Sequence, residues 1–496
     1  MKKHAHIFIY AFIALASLGI MIYHSNDYSL SIDDMAMLGM CSKGFTFREI
    51  IRSAVENDRM PIFYHIFFFL FNKVAVGDLA FKLFSMIFAA AGIFTCGLLG
   101  KRLGNTFAGT VTACVTAYQV CSPFGHFLRP YAMLFFVMTV VLLLYVKRFE
   151  ERGNETIKTQ IALGILYAVA VNLHYTAIIA LFALFAADVI MIATKRSKPI
   201  ALISYGICAL LFLPWFIFGV VMPAVSGSSH ITERAAENLS PYPWKEMARR
   251  FGKMKSLTPF APFAAFYCLI LVKKIRKGID DNDRIVLLLT AMFVLLFTTV
   301  TLIGRNPNMY LNVRFYVPAL PVLALGCGLL ASWAVKTIGT YRSGAIIISI
   351  IAIPVCLICV HKSFLPGSRF FMREHKTASY KEVAEYLLTK GDIHDKDVMA
   401  VDADGDEMRY LGWHNHYLTK DLTEKEVYVP LRAVPVPENI RKIYYCLNQN
   451  ISHRDGIEDE REALLEDFDL TSTETVTAKT GIARTIVEEY ERRKTD

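Results

Sequence analysis

The polar C-terminal region of this sequence has no glycine-rich loop of the kind that cradles nucleotide phosphates, and the chain has no internal repeat and no low-complexity linker. The first absence argues against a nucleotide as bound substrate. The second argues against a solenoid or a duplicated transporter fold. Cysteine is also spare: ten residues in 496, several of them inside apolar runs (Cys96, Cys114, Cys208, Cys268, Cys356, Cys359). They read as small buried hydrophobes, with neither a disulfide framework nor a metal-ligand set. Lysine and arginine exceed acids by nine, but no basic module stands apart from the apolar runs, so a nucleic-acid partner is not expected.

What the chain does have is apolar length. Hydrophobic residues make up 54% of it, and mean hydropathy is +0.39. Runs of about 20 apolar residues match the hydrocarbon thickness of a bilayer. Inside lipid such runs must satisfy their own backbone groups, so they are helices. The pattern predicts about eleven spans, near 6–23, 81–100, 105–122, 128–146, 158–172, 175–194, 200–222, 260–273, 285–303, 314–334 and 343–361. Lys2-Lys3 followed by Ile7 to Tyr23 has features of a cleaved signal, but the apolar run continues past Ala14-Leu15-Ala16, which favours a retained first helix.

Charge sets the expected orientation. With the N-terminus inside, alternate loops carry Lys101-Arg102, then Lys147-Arg148, Arg152 and Lys158, then Lys195-Arg196-Lys198, Lys273-Lys274-Arg276-Lys277, and Lys336 with Arg342. The opposite turns, near Pro123, Asn172 and Asn306, are poor in cations, as the positive-inside rule requires. Pro61 to Val76 is apolar, but a crossing there would invert every later loop. It is read as a helix lying in the interface or re-entering. A second long outer loop, 223–258, places Trp244, Met247, Phe251 and Met254 at helical spacing among Lys245, Arg249, Arg250 and Lys253, a basic amphipathic surface helix.

From Ser363 onward the character changes, with 19 Lys+Arg against 27 Asp+Glu, while the remainder holds 34 against 17. The basic membrane part suits anionic lipid and phosphate partners. The expected organisation is therefore a transmembrane domain, 1–362, with an outer loop 24–80, and a small soluble α/β domain, 363–496, outside. In that domain Ser379 to Leu388 has helical periodicity, Asp397 to Val401 and Lys442 to Cys446 read as strands, and the sequence from Ala463 is mixed.

Several polar groups fall on the outer side once the loops are assigned. Asp33-Asp34 follows the first span; it reads either as a solvated loop or as a general base or orienting carboxylate. Asp58-Arg59-Met60-Pro61 leads into the interfacial segment. Arg129 stands at the mouth of the fourth helix with His126, Pro130 and Tyr131 around it. It either snorkels to headgroups or binds a phosphate, for which a planar five-donor cation is suited. The same alternatives hold for Arg314, in Arg314-Phe315-Tyr316 with Pro318, Pro321 and, in the same turn, Arg305. His174-Tyr175 is either part of an aromatic belt or a site pair.

Taken in order, these residues resemble the bacterial GT-C fold membrane glycosyltransferases, the group related to protein O-mannosyltransferases and lipid A aminoarabinose transferases. The matching stretches are Asp33-Asp34 for the acidic pair of the first outer loop, Asp58-Arg59-Met60-Pro61-Ile62-Phe63-Tyr64, Arg129-Pro130-Tyr131-Ala132-Met133, His174-Tyr175 and Arg314-Phe315-Tyr316-Val317-Pro318. They span about the first 330 residues. The resemblance implies transfer of a sugar, with inversion, from a polyprenyl-phosphate donor to an acceptor hydroxyl on a protein, lipid or glycan, at the outer face of a bacterial cytoplasmic membrane. It implies Asp33 as the base with Asp34 beside it, and Arg129 and Arg314 at the leaving phosphate. It also implies a cavity lined by Asp58, Arg59, Tyr64, His126, Tyr131, His174 and Tyr175. Two departures stand out. Asp34 replaces the family's usual Glu. The acid often found two residues before the Arg is Phe127 here, beside His126, so a further carboxylate has to come from elsewhere, such as Asp58. No obligatory metal and no cofactor is expected. The rival from another class is a transporter or flippase of lipid-linked sugars, which commonly shows repeated halves and intramembrane charges.

Overall fold

The computed structural model describes residues 4–55, 60–151, 155–225, 313–365, 380–402, 436–448, 457–479, 481 and 484–493, with a broken set of positions between 285 and 299. The chain divides into two compact units. The first is Met1–Met21, Lys43–Ala75 and Leu83–His361; the second is Ile22–Ser42, Val76–Lys82 and Lys362–Asp496.

The first unit is helical. Its main elements are α1 (Ala5–Tyr23), α3 (Phe47–Ser53), α4 (Phe63–Asn72), α5 (Asp78–Leu103), α6 (Thr106–Phe124), α7 (Tyr131–Glu150), α8 (Ile157–Leu173), α9 (Thr176–Ala193), α10 (Ile203–Trp215), α11 (Leu320–Thr337) and α12 (Tyr341–Ser363). A short helix of the second unit, α2 (Ile32–Met40), falls between α1 and α3. Among the described residues seven helices are long and apolar enough to cross a membrane: those built on α1, α5, α7, α9, α10, α11 and α12. The protein is a multi-pass membrane protein. At 17 residues α8 is shorter, and α6 is less apolar, although both occur where spans were expected. The expected spans at 260–273 and most of 285–303, and the amphipathic helix of loop 223–258, lie outside the described residues. Within Pro61 to Val76 the helix is α4, ten residues long, or about 15 Å at 1.5 Å per residue, which is too short to span.

The low apolarity of α6 has a local cause. Its Thr110, Thr112, Thr116 and Ser122 are all buried. Thr110 and Thr112 return their hydroxyls to the carbonyls four residues back, at 3.0 and 2.8 Å, so these two groups need no water. Small residues then let backbones approach closely, as membrane helix pairs require. A Cβ at Gly328 of α11 would overlap the Ala108 carbonyl oxygen and Thr112 Oγ1 of α6, and one at Gly109 would overlap the Tyr10 hydroxyl and the Gly97 carbonyl. Tyr10 in turn donates to the Thr106 carbonyl at 3.1 Å. Cys356 and Cys359 lie three apart on α12, where Cys356 is buried and its thiol donates to the Cys114 carbonyl of α6 at 3.1 Å.

One cation counted with the loops is not in a loop. Arg148 sits in the last turn of α7 and is 3% exposed, bonded to both carboxylate oxygens of Asp188, itself fully buried on α9. Tyr145 and Tyr205 donate to the same carboxylate at 2.9 and 2.7 Å, and Arg148 also reaches Gln160 Oε1 at 3.3 Å. A charge pair in an apolar bundle survives only when its hydrogen-bonding capacity is met in this way.

In the second unit the tail forms α13 (Tyr380–Thr389), β1 (Val398–Asp402), β2 (Lys442–Asn448), α14 (Ile457–Asp467), β3 (Phe468–Thr477) and β4 (Arg484–Arg492). The sheet order is β1-β2-β4-β3, with β1 and β2 parallel and the other pairs antiparallel. Period-two alternation gives the sheet two apolar faces. Val398, Ala400, Tyr444, Cys446 and Val487 pack with Val383, Ala384 and Leu387 of α13. Met399, Val401, Ile443, Tyr445 and Tyr490 pack with Leu464 of α14. The expected helix and both expected strands are present. The region read as mixed resolves into α14 and a β-hairpin. Its edge strand β3 buries little beyond Phe468, which is why no apolar alternation announced it.

Candidate active site

The acidic pair opens α2, and its two members face different tasks. Ser31 caps the helix: its hydroxyl oxygen accepts the Asp34 N–H at 3.3 Å, while Asp34 Oδ2 accepts the Ser31 N–H and hydroxyl at 2.8 Å each. This is a reciprocal capping box. Asp34 is fully buried in it, so it builds the helix that presents its neighbour. Asp33 points about 100° further round the helix and is half-buried. Upstream of it, burial, then the Asp27 carboxylate, raise the Tyr28 hydroxyl above its ordinary value, so it stays protonated near neutrality. Sequence reasoning missed Lys82. It is fully buried at the start of α5 and donates to the carbonyls of Ser25 and Tyr28 at 2.7 Å each, holding the turn before α2. A lysine inside an expected span was the available signal.

Four of the other candidates, Arg129, Tyr131, His174 and Tyr175, lie in the first unit at the start of α7 and the break between α8 and α9. Arg129 is half-buried one residue ahead of the Pro130 cap of α7, where no side chain caps the helix. Cation and helix N-terminus both favour an anion. Tyr131, buried, stacks on Phe127 (5.8 Å, 8°) and lies 5.7 Å from the His174 ring. The Nδ1 of His174 accepts the Thr176 N–H at 3.2 Å and meets its hydroxyl at 2.9 Å, which assigns the proton of the neutral ring to Nε2. Tyr175 accepts the Trp215 indole N–H at 3.0 Å.

Arg314 lies in a 3-10 segment, Val313–Ala319, whose Tyr316, Val317 and Ala319 are buried and which packs against α7 and α9. Its backbone thus reaches the helices that carry Tyr131 and follow His174. His126 is fully buried, with Nε2 2.7 Å from the Met21 carbonyl, and fastens the end of α1. Tyr64 is buried on α4, stacked on Phe68 (5.9 Å) and edge-on to Phe84 (5.8 Å). Asp58 and Arg59 lie outside the described residues, as does Arg305. Among the described residues no group of three or more His, Cys, Asp or Glu is disposed to hold a metal ion.

A multi-span helical unit with short helices after its first span, joined to a small α/β unit, is the architecture of a polytopic membrane protein. No family model matches the chain, and no curated protein matches it in sequence. Solved structures do. ArnT from Cupriavidus metallidurans in the apo state aligns with a TM-score of 0.58 at 13% identity, covering 98% of each chain. The same protein bound to undecaprenyl phosphate gives 0.57 at 12%, covering 96% of this chain and 97% of that one. The archaeal oligosaccharyltransferase AglB from Archaeoglobus fulgidus, in complex with an inhibitory peptide and a dolichol-phosphate, gives 0.53 at 11%, covering 90% of this chain and 69% of that one. At these identities the likeness is one of fold, and it runs the length of the chain.

Proposed function

We propose that the chain is a membrane glycosyltransferase that moves a sugar from a polyprenyl-phosphate carrier to an acceptor hydroxyl. The observation that carries this reading is the end-to-end likeness to a protein whose structure holds undecaprenyl phosphate. The AglB structure with its dolichol-phosphate supports the same donor class, and its peptide supports an acceptor. The ordered set of polar motifs adds residues to the reading. Asp33 is the general base: it takes the acceptor hydroxyl proton as that oxygen attacks the anomeric carbon from the face opposite the phosphate. The bond from that carbon to the phosphate oxygen breaks, the configuration inverts, and polyprenyl phosphate leaves with the bonding pair. Arg129 and Arg314 stabilise its charge. Tyr64, Tyr131, His174 and Tyr175 line the sugar site. Asp34 and His126 serve by building α2 and fixing α1. The reaction runs at the outer face of a bacterial cytoplasmic membrane, with the N-terminus inside and the tail outside. It needs no nucleotide, cofactor or obligatory metal.

Binding tests the donor side without any knowledge of the sugar. Undecaprenyl phosphate titrated onto the full chain in nanodiscs is expected to bind Arg129→Ala and Arg314→Ala about 10- to 100-fold more weakly than wild type, the worth of a charged hydrogen bond. Undecaprenol, which lacks the phosphate, is expected to bind all three chains alike. Unchanged affinity for the phosphate in both variants contradicts the assignment.

A further inference from the structure

We propose that Glu382, at the start of α13, is a positioning residue for the helix that carries Asp33. It acts through Ser29, which precedes the cap of α2 by two residues. The Ser29 hydroxyl, on a residue 1% exposed, donates to Glu382 Oε2 at 3.0 Å, and its oxygen accepts the backbone N–H of Lys381 at 3.1 Å. The second Glu382 oxygen accepts the Lys479 N–H at 3.1 Å, from the loop before β4. The first N–H groups of a helix normally find their acceptor in the residue just ahead of it. Here a serine 352 positions away supplies that acceptor, and the helix returns a carboxylate to the serine. The result is a cap built between distant parts of one unit.

The same short segment is fixed on both sides of Ser29. His24 stacks on Phe364 (4.9 Å, 15°) and holds Asp27 at 2.7 Å through Nδ1. Lys82 binds the carbonyls of Ser25 and Tyr28. At nine residues α2 is too short to be stable by itself. Its place is set by its own buried residues, Met35 and Met37 among them, together with what holds residues 24–31, and Glu382 and Phe364 are tail side chains that do so. The tail's role in the reaction is to keep the base in register, and this consequence rests on the reading of Asp33 given above.

Two readouts on the full chain in nanodiscs separate this from a role in folding alone. The first is hydrogen exchange of the α2 amides, which requires no substrate. The second is kcat and KM on a panel of undecaprenyl-phosphate-linked pentose, hexose and aminosugar donors. Glu382→Ala is expected to speed α2 exchange about 10-fold or more and to lower kcat about 10- to 100-fold, with donor KM within about 2-fold of wild type, because orientation and not binding is lost. Glu382→Gln is expected to restore both, since its amide accepts from Lys479 N–H and donates to Ser29. Unchanged α2 exchange overturns the proposal. So does faster exchange with kcat intact, or a Gln variant that behaves like Ala. If Asp33→Asn itself keeps full turnover, the parent reading fails instead, and the exchange arm still decides whether Glu382 holds α2.

Discussion

Asp33→Asn is expected to lose about 10²- to 10⁴-fold in transfer rate, the range a general base contributes, while folding as wild type. The substitution keeps the side chain's shape and removes its negative charge and with it the ability to take a proton. The neighbouring carboxylate is the internal control. Asp34 is buried in the capping box with Ser31, and an Asn there still accepts the Ser31 N–H through its carbonyl oxygen. Asp34→Asn is therefore expected to keep most of its turnover. The check is the initial rate of polyprenyl phosphate release at equal concentrations of folded protein. Equal losses in the two variants would mean that the division of labour between the acids is wrong.

Asp188→Ala is expected to destabilise the helical unit by about 3–5 kcal/mol, the cost of stranding a buried charge. Arg148 is 3% exposed and has Asp188 as its ion partner, with Gln160 at one further nitrogen. Removing the carboxylate also strips the acceptor from the Tyr145 and Tyr205 hydroxyls. Replacing both partners, as Arg148→Met with Asp188→Leu, is expected to recover the part of the loss due to the stranded charge, while the Tyr145 and Tyr205 hydroxyls still lose this acceptor. Denaturation of the detergent-solubilised chain measures both. A loss in Asp188→Ala smaller than about 1 kcal/mol would show that Arg148 finds water or another partner.

These two sites show where the sequence was legible and where it was not. Span positions could be read because lipid leaves a helix no alternative, and α4 was recognised as non-spanning because a crossing would have reversed every charged loop. The tail helix and the first two strands were readable because their buried faces are apolar. The β3–β4 hairpin was not, since β3 shows mostly Thr, Ser and acids to solvent. Arg148 looked like any loop cation. Its partner Asp188 lies forty residues on, and only packing brings them together. Asp33-Asp34 looked like a matched pair, although Ser31-x-x-Asp34 already has the spacing of a capping box and separates their roles. Lys82 and Glu382 carried no motif, because what they bind is the backbone and hydroxyl of residues far away in sequence.

The central claim is chemical: a sugar leaves a lipid phosphate on this protein. The direct measurement uses the full chain in sealed vesicles with undecaprenyl-phosphate donors labelled in the sugar, together with an extract of cell-envelope acceptors. The account predicts that free undecaprenyl phosphate appears in step with labelled acceptor, through a linkage of inverted anomeric configuration, and that neither appears with Asp33→Asn. Labelled donor found intact on the opposite leaflet, with no free lipid phosphate formed, would contradict it and mark a carrier of lipid-linked sugars.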